Sequence, residues 1–125
     1  QLKRISSLNL VRKKLIDLYV KNLKKIGIKT LLPYKTKDSS YWLMGIRYKQ
    51  REILMEYLNK KNISTGVHYL PVGKHPLFKK FNKKVNYSNK IWREILTLPL
   101  HTNMSKKDVI YIVNQIKNFE ILKNK

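Results

Sequence analysis

The sequence contains no cysteine and no alanine, only four glycines and four prolines, and seven acidic residues among 125. Without cysteine there is no disulfide framework, no thiolate metal or iron–sulfur site and no thiol nucleophile. No apolar run approaches the roughly 18 residues that a membrane-spanning helix needs. The glycines, at positions 27, 45, 66 and 73, are too dispersed to cradle a phosphate, and no Gly-x-Ser-x-Gly elbow occurs. The three histidines, His68, His75 and His101, lack the i, i+4 pairing of a zinc helix. Most of the carboxylates fall on expected helix surfaces, which argues against a paired-carboxylate hydrolase.

What is abundant is positive charge. Twenty-eight basic residues against seven acidic ones give +21, a balance that points toward nucleic acid or an anionic surface. The detail weakens that reading: 23 of the 28 are lysine and five are arginine, whereas bidentate recognition of bases and phosphates favours arginine. The lysines are scattered, and the longest clusters are pairs such as Lys24-Lys25, Lys60-Lys61, Lys83-Lys84 and Lys106-Lys107. Eleven Asn, 13 Ile and no Ala also match a bias toward A/T-rich codons, which needs no nucleic-acid ligand. At 125 residues and 42% apolar composition, one domain with a real core is expected.

Leu2, Ile5, Leu8, Val11, Leu15, Leu18, Tyr19, Leu23 and Ile26 recur at three- and four-residue steps, predicting one amphipathic helix up to Ile26. At about 1.5 Å per residue it would be about 38 Å long, more than a small domain needs for its own core. Gly27 is placed to end it. With Gln1 rather than Met first, the chain reads as part of something longer, divided into an interdomain helix (1–26) and a small α/β domain (27–125). Leu2, Ile5 and Leu8 are expected to be poorly buried, and Leu18, Leu23 and Ile26 to pack on the domain.

Further on, Ile28–Leu32 and the aromatic run Tyr41–Tyr48 read as strands joined in a hairpin by a seven- or eight-residue loop. Gln50–Lys61 reads as a helix burying Ile53, Leu54, Tyr57 and Leu58. Ile63–Tyr69 reads as a strand returning to lie beside Tyr41–Tyr48. Leu70–Asn86 is mostly loop, with a helical turn at Leu77–Phe81, and Ser88 begins a helix facing inward through Ile91, Trp92 and Ile95. Leu96–Pro99 is a short extended piece. Ser105 with Asp108 three residues on resembles a capping box, before a helix burying Val109, Ile112, Val113 and Ile116. The expected fold class is α/β: a small sandwich of helices on a three- to four-stranded, mostly antiparallel sheet, preceded by the long N-terminal helix.

One segment stands out chemically. Thr65 to Phe78 holds His68, Tyr69, Lys74 and His75 with Pro71 and Pro76. Prolines stiffen such a loop and reduce the cost of ordering it. Imidazole, phenol and ammonium groups together suit an anionic or polyhydroxylated ligand. The alternative is a surface loop whose aromatic residues cover the core.

Several blocks in order resemble the C-terminal part of the DegT/DnrJ/EryC1/StrS sugar aminotransferases. They are Gln1-Leu2-Lys3-Arg4-Ile5 with Arg12 and Tyr19, Ser40-Tyr41-Trp42-Leu43 with Arg51, Ile63 to Pro71 with Pro76-Leu77-Phe78, and Leu96 to Leu100 with Met104-Ser105 and Asp108-Val109. The resemblance implies the C-terminal domain of the aspartate-aminotransferase-like fold and an enzyme dependent on pyridoxal 5'-phosphate (PLP). Such an enzyme transfers an amino group, typically from glutamate, to a nucleotide-diphosphate-linked keto-sugar. It further implies a cytoplasmic homodimer in polysaccharide biosynthesis, with no membrane contact and no nucleic-acid partner. His68, Tyr69, Lys74 and His75 become the expected substrate-side contacts. Gly73 stands where many members have His. The family's Schiff-base lysine, in a Ser-x-His-x-x-Lys motif, has no counterpart in these residues. No catalytic, cofactor-binding or metal-binding residue is therefore assigned here. PLP is expected to be bound mainly by a large domain outside this sequence, and the 125 residues alone to be inactive. Two other readings remain open at this level: a basic nucleic-acid-binding module, with rings of Tyr41–Tyr48 as a stacking platform, and a stand-alone oligomerisation piece.

Overall fold

The computed structural model describes residues 2–31, 39–81 and 86–123. A short 3-10 turn, Leu2–Arg4, leads into α1, Ile5–Lys25. The apolar period of α1 presses Leu15, Ile16, Tyr19 and Leu23 into the core. Gly27 follows at φ +74°, the left-handed conformation that glycine adopts without penalty. Strand β1 is brief, Lys29–Thr30, and pairs antiparallel with β2, Met44–Arg47. Helix α2 spans Arg51–Asn59, α3 Asn86–Glu94, and β3, Ile95–Leu98, begins directly where α3 ends. Helix α4, Lys106–Lys123, closes the described chain.

The sheet has the order β1-β2-β3 and is antiparallel throughout. Its register sets Met44 opposite Leu98, Gly45 opposite Thr97 and Ile46 opposite Leu96. Because side chains alternate along a strand, Met44, Ile46, Leu96 and Leu98 share one face, and all four are in the core cluster with α1, α2 and α4 residues. Gly45 and Thr97 share the other face. Gly45 is buried there because Leu31 lies on it: a Cβ at Gly45 would stand 2.3 Å from Leu31 Cδ1. Helix α1 packs along α4, and α2 packs on α4 and β3. At α4's start the Ser105 backbone N–H donates to Asp108 Oδ2 at 2.7 Å and the Asp108 N–H donates back to Ser105 Oγ at 3.2 Å, the reciprocal arrangement the spacing predicted.

Several details differ from expectation. The second neighbour of β2 is Ile95–Leu98, not Ser64–Val67. Leu96, Thr97 and Leu98 are all buried, as a strand covered on both faces must be. The segment predicted as a strand at Ile63–Tyr69 contributes one bridge, Gly66 to Thr97, on the outer side of β3. The pairing stops there, and the His68 ring folds back to bond the Thr97 side chain. Strand β2 is shorter than Tyr41–Tyr48, and Tyr41 stands at φ +49°, outside the extended region. Leu32 to Asp38, which include the end of the predicted first strand and most of the predicted turn, lie outside the described residues. In α2, Ile53 faces solvent while Leu54 and Leu58 are fully buried.

Candidate functional site

The segment after α2 runs along the outer edge of β3 at Thr97. Gly66 exchanges two backbone hydrogen bonds with Thr97, at 3.1 and 2.8 Å, which places His68 beside the strand. His68 Nδ1 lies 2.6 Å from Thr97 Oγ1, and the Thr97 hydroxyl lies 2.7 Å from the Gly66 carbonyl oxygen. Gly66 has a steric duty in this contact, since a Cβ there would approach the His68 Cε1 to 2.8 Å. The Tyr69 ring stands edge-on to His68, with centroids 4.9 Å apart at 84°.

Beyond Tyr69 the chain turns through Pro71 into a 3-10 turn, Val72–Lys74, held by the Lys74 N–H donating to the Pro71 carbonyl at 2.8 Å. The turn faces α3 across a cleft of about 450 Å³, within the size range of small-ligand sites. Tyr69, Val72, Lys74, Tyr87 and Trp92 line it, and Ile95 contributes to its wall. The Lys74 Nζ stands 5.3 Å from the centre of the Trp92 ring, and the Arg51 guanidinium carbon 5.2 Å from the same ring. Both are cation–π distances. Arg51 is buried and ties this region together: its Nη1 donates to the Trp92 carbonyl at 2.6 Å and to that of Ile95 at 3.4 Å. Its Nη2 pairs with Glu52 at 2.5 Å. The Glu52 carboxyl is held below the usual carboxylate range, first by its own backbone N–H and then by Arg51. The Trp92 Nε1–H is buried without a hydrogen-bond partner among the described residues.

Of the four expected contacts, the structure brings Tyr69 and Lys74 together in this cleft. His68 instead lines a separate hollow of about 360 Å³ with Trp42, Thr65, Thr97 and Leu100. His75 lines neither; it is exposed, and its backbone N–H donates to the Val72 carbonyl at 3.0 Å. Trp92, Tyr87, Arg51 and Thr97 were not assigned to the site from sequence. Trp92 falls on the apolar stripe of its helix and reads as core, and Thr97 lies in a piece too short to read as a central strand. No signal in the sequence distinguishes them. Among the described residues, no three His, Asp or Glu side chains converge on a metal position, and no helix is long and apolar enough to cross a membrane.

The profile of the DegT/DnrJ/EryC1/StrS aminotransferase family matches residues 1–117. The chain belongs to this family. It is 29% identical over 112 residues to the dTDP-3-amino-3,6-dideoxy-alpha-D-galactopyranose transaminase of Aneurinibacillus thermoaerophilus. It is likewise 29% identical over 112 residues to the GDP-perosamine synthase of Escherichia coli O157:H7. Each alignment takes in 86% of this chain and 30% of the relative, so the chain spans less than a third of those enzymes. Among solved structures, the Helicobacter pylori aminotransferase PseC, involved in the biosynthesis of pseudoaminic acid, superposes with a TM-score of 0.86 at 25% identity. That match covers 96% of this chain and 35% of PseC. The DegT/DnrJ/EryC1/StrS enzymes depend on PLP, and the cleft residues of this family member do not fit that cofactor. Among the described residues, no carboxylate lines the cleft to pair with a pyridinium nitrogen.

Proposed function

We propose that these residues form the C-terminal portion of a PLP-dependent aminotransferase that delivers an amino group, typically from glutamate, to a nucleotide-linked keto-sugar. Residues 27–125 act as the small domain and residues 1–26 as the helix joining it to a large domain. In this reading PLP and its Schiff-base lysine belong to that large domain, the enzyme is a cytoplasmic homodimer, and these 125 residues alone do not transaminate.

The observation that carries the reading is the position of Lys74 in a cleft walled by Tyr69, Tyr87 and Trp92, in a chain of this family. A diphosphate needs a cation and hydrogen-bond donors, and Lys74 supplies both. The rings supply apolar faces on which a sugar or a base can rest. His68 serves as a contact from the neighbouring hollow, and His75 adds a polar group at the loop's outer edge. The chemistry at the keto carbon is assigned to the large domain, and the present residues bind and orient the sugar nucleotide.

The test is an assay of the native polypeptide that contains residues 1–125. With PLP, glutamate and dTDP- or GDP-linked keto-sugars, it should produce 2-oxoglutarate and the corresponding amino sugar. The isolated 125 residues should show no such turnover. Failure of the native polypeptide on every nucleotide-linked keto-sugar, with turnover of a free amino acid or amine instead, would overturn the reading.

A further inference from the structure

The hydrogens around Thr97 can be counted. A hydroxyl has one hydrogen, and the Gly66 carbonyl oxygen can only accept. That oxygen lies 2.7 Å from Thr97 Oγ1, a separation that two lone pairs facing each other would not tolerate. The hydroxyl hydrogen is therefore committed to Gly66, and Thr97 Oγ1 meets the imidazole with a lone pair. The partner 2.6 Å away, His68 Nδ1, must then be the donor. In a neutral imidazole one nitrogen donates and the other accepts, so Nε2 is left as the acceptor. It has no hydrogen-bond partner among the described residues. The missing Cβ of Gly66 leaves the space that the Cε1 corner of the same ring uses.

We infer that Thr97 is a positioning residue that holds neutral His68 as its Nδ1–H tautomer, so that Nε2 presents a lone pair reserved for a hydrogen-bond donor. The matching ligand group is a sugar hydroxyl or an amine. A carboxylate or phosphate oxygen, which can only accept, has no bond to make with Nε2 in this form. Free imidazole side chains favour the opposite tautomer, with the hydrogen on Nε2, so Thr97 works against the intrinsic preference. The substrate role of Nε2 rests on the proposed function, whereas the tautomer does not.

Nitrogen-15 NMR of the 125-residue chain, at a pH where its histidines are neutral, reads the tautomer directly. His68 should show a pyrrole-type Nδ1 and a pyridine-type Nε2. His75 and His101, whose rings have no hydrogen bond among the described residues, should show the reverse. Thr97→Val keeps the β-branched shape but removes the hydroxyl, and should move His68 to mainly Nε2–H. Thr97→Ser should keep it as Nδ1–H. An Nε2–H signature for His68 in the unaltered chain would overturn the inference, as would an unchanged Nδ1–H signature in Thr97→Val. If Thr97→Val does not fold, the unaltered chain and Thr97→Ser still decide, since either one in the Nε2–H form refutes it. The substrate role is read separately, from the KM for the sugar nucleotide in the native polypeptide carrying His68→Gln.

Discussion

The Tyr19 hydroxyl donates to the Pro99 carbonyl oxygen at 3.0 Å, joining the middle of α1 to the chain just past β3. The Tyr19 side chain is fully buried, and burial, with Asp108 as a lesser cause, raises its phenol far above the ordinary value. Burial thus favours the neutral hydroxyl, which is the donor form. Tyr19→Phe should cost about 0.5–1.5 kcal/mol, the usual net worth of one hydrogen bond. Urea unfolding should show the loss as a lower midpoint with an unchanged slope.

Arg51 offers a larger effect. Arg51→Met removes the donors to the Trp92 and Ile95 carbonyls and one cation from the Trp92 ring. Leaving such acceptors unpaired costs about 1–3 kcal/mol. Arg51→Lys should not restore the loss, since an ammonium cannot reproduce the planar fork. A thermal melt of the three proteins checks both expectations.

Stability should fall in acid. Glu94 is held below its ordinary 4.5, mainly by hydrogen bonds from Arg47, and Asp108 below its ordinary 3.8 by the Ser105 backbone and hydroxyl. A carboxyl with a depressed folded value contributes fully above its unfolded value, and that contribution is lost as pH falls through the folded one. The melting temperature should therefore begin to drop as pH goes below these ordinary values. Glu94→Gln should flatten its part of that slope, and a variant with the unaltered pH profile would rule Glu94 out as a contributor.

The first turns of α1 should open easily. Leu2 and Ile5 are 84% and 48% exposed as expected, whereas Leu8 is half-buried, and the Arg4 side chain makes no capping bond to the helix start. Leu18 and Ile26, by contrast, pack on the core, and Leu23 is inside it. Amide exchange in the isolated chain should be fast over residues 2–10 and slow over 15–25. Equal protection along α1 in a demonstrated monomer would contradict this.

Lys74→Met tests the cleft. In the native polypeptide it should raise the KM for a nucleotide sugar by about 10–100-fold, the equivalent of one charge-assisted hydrogen bond. Activity on a sugar lacking the diphosphate should be affected much less. Equal effects on both substrates would remove the diphosphate from Lys74's side of the cleft.

Much of the architecture was legible in the sequence because its signals are local. The 3.6-residue period of α1, the Gly27 stop and the Ser105–Asp108 cap each involve residues within one or two turns of one another. The sheet order was not legible for the opposite reason. Whether Ile95–Leu98 or Ser64–Val67 lies beside β2 depends on packing across the whole chain, and both segments have strand-like composition. The site was legible in half. Tyr69 and Lys74 announce themselves by chemistry in a proline-stiffened loop, whereas Trp92 reads as an ordinary core aromatic and Arg51 only as part of a helix start. Only the fold puts them in one stack, and only the Gly66–Thr97 bridge shows why His68 turns away from Lys74.

The distant pairing of β2 with β3 has a consequence for biosynthesis. Met44 meets Leu98 and Arg47 meets Ile95, partners 98 − 44 = 54 and 95 − 47 = 48 residues apart. At about 5–20 residues per second on the ribosome, roughly 2–11 seconds separate the emergence of a β2 residue from that of its partner. Through that interval one edge of β2 is open, and an open edge is a template for pairing with other chains. Lys29, opposite Arg47 in β1, and Lys49, two residues past Arg47, put like charges on every nascent copy. That repulsion would keep neighbouring copies on one polysome from pairing before β3 arrives.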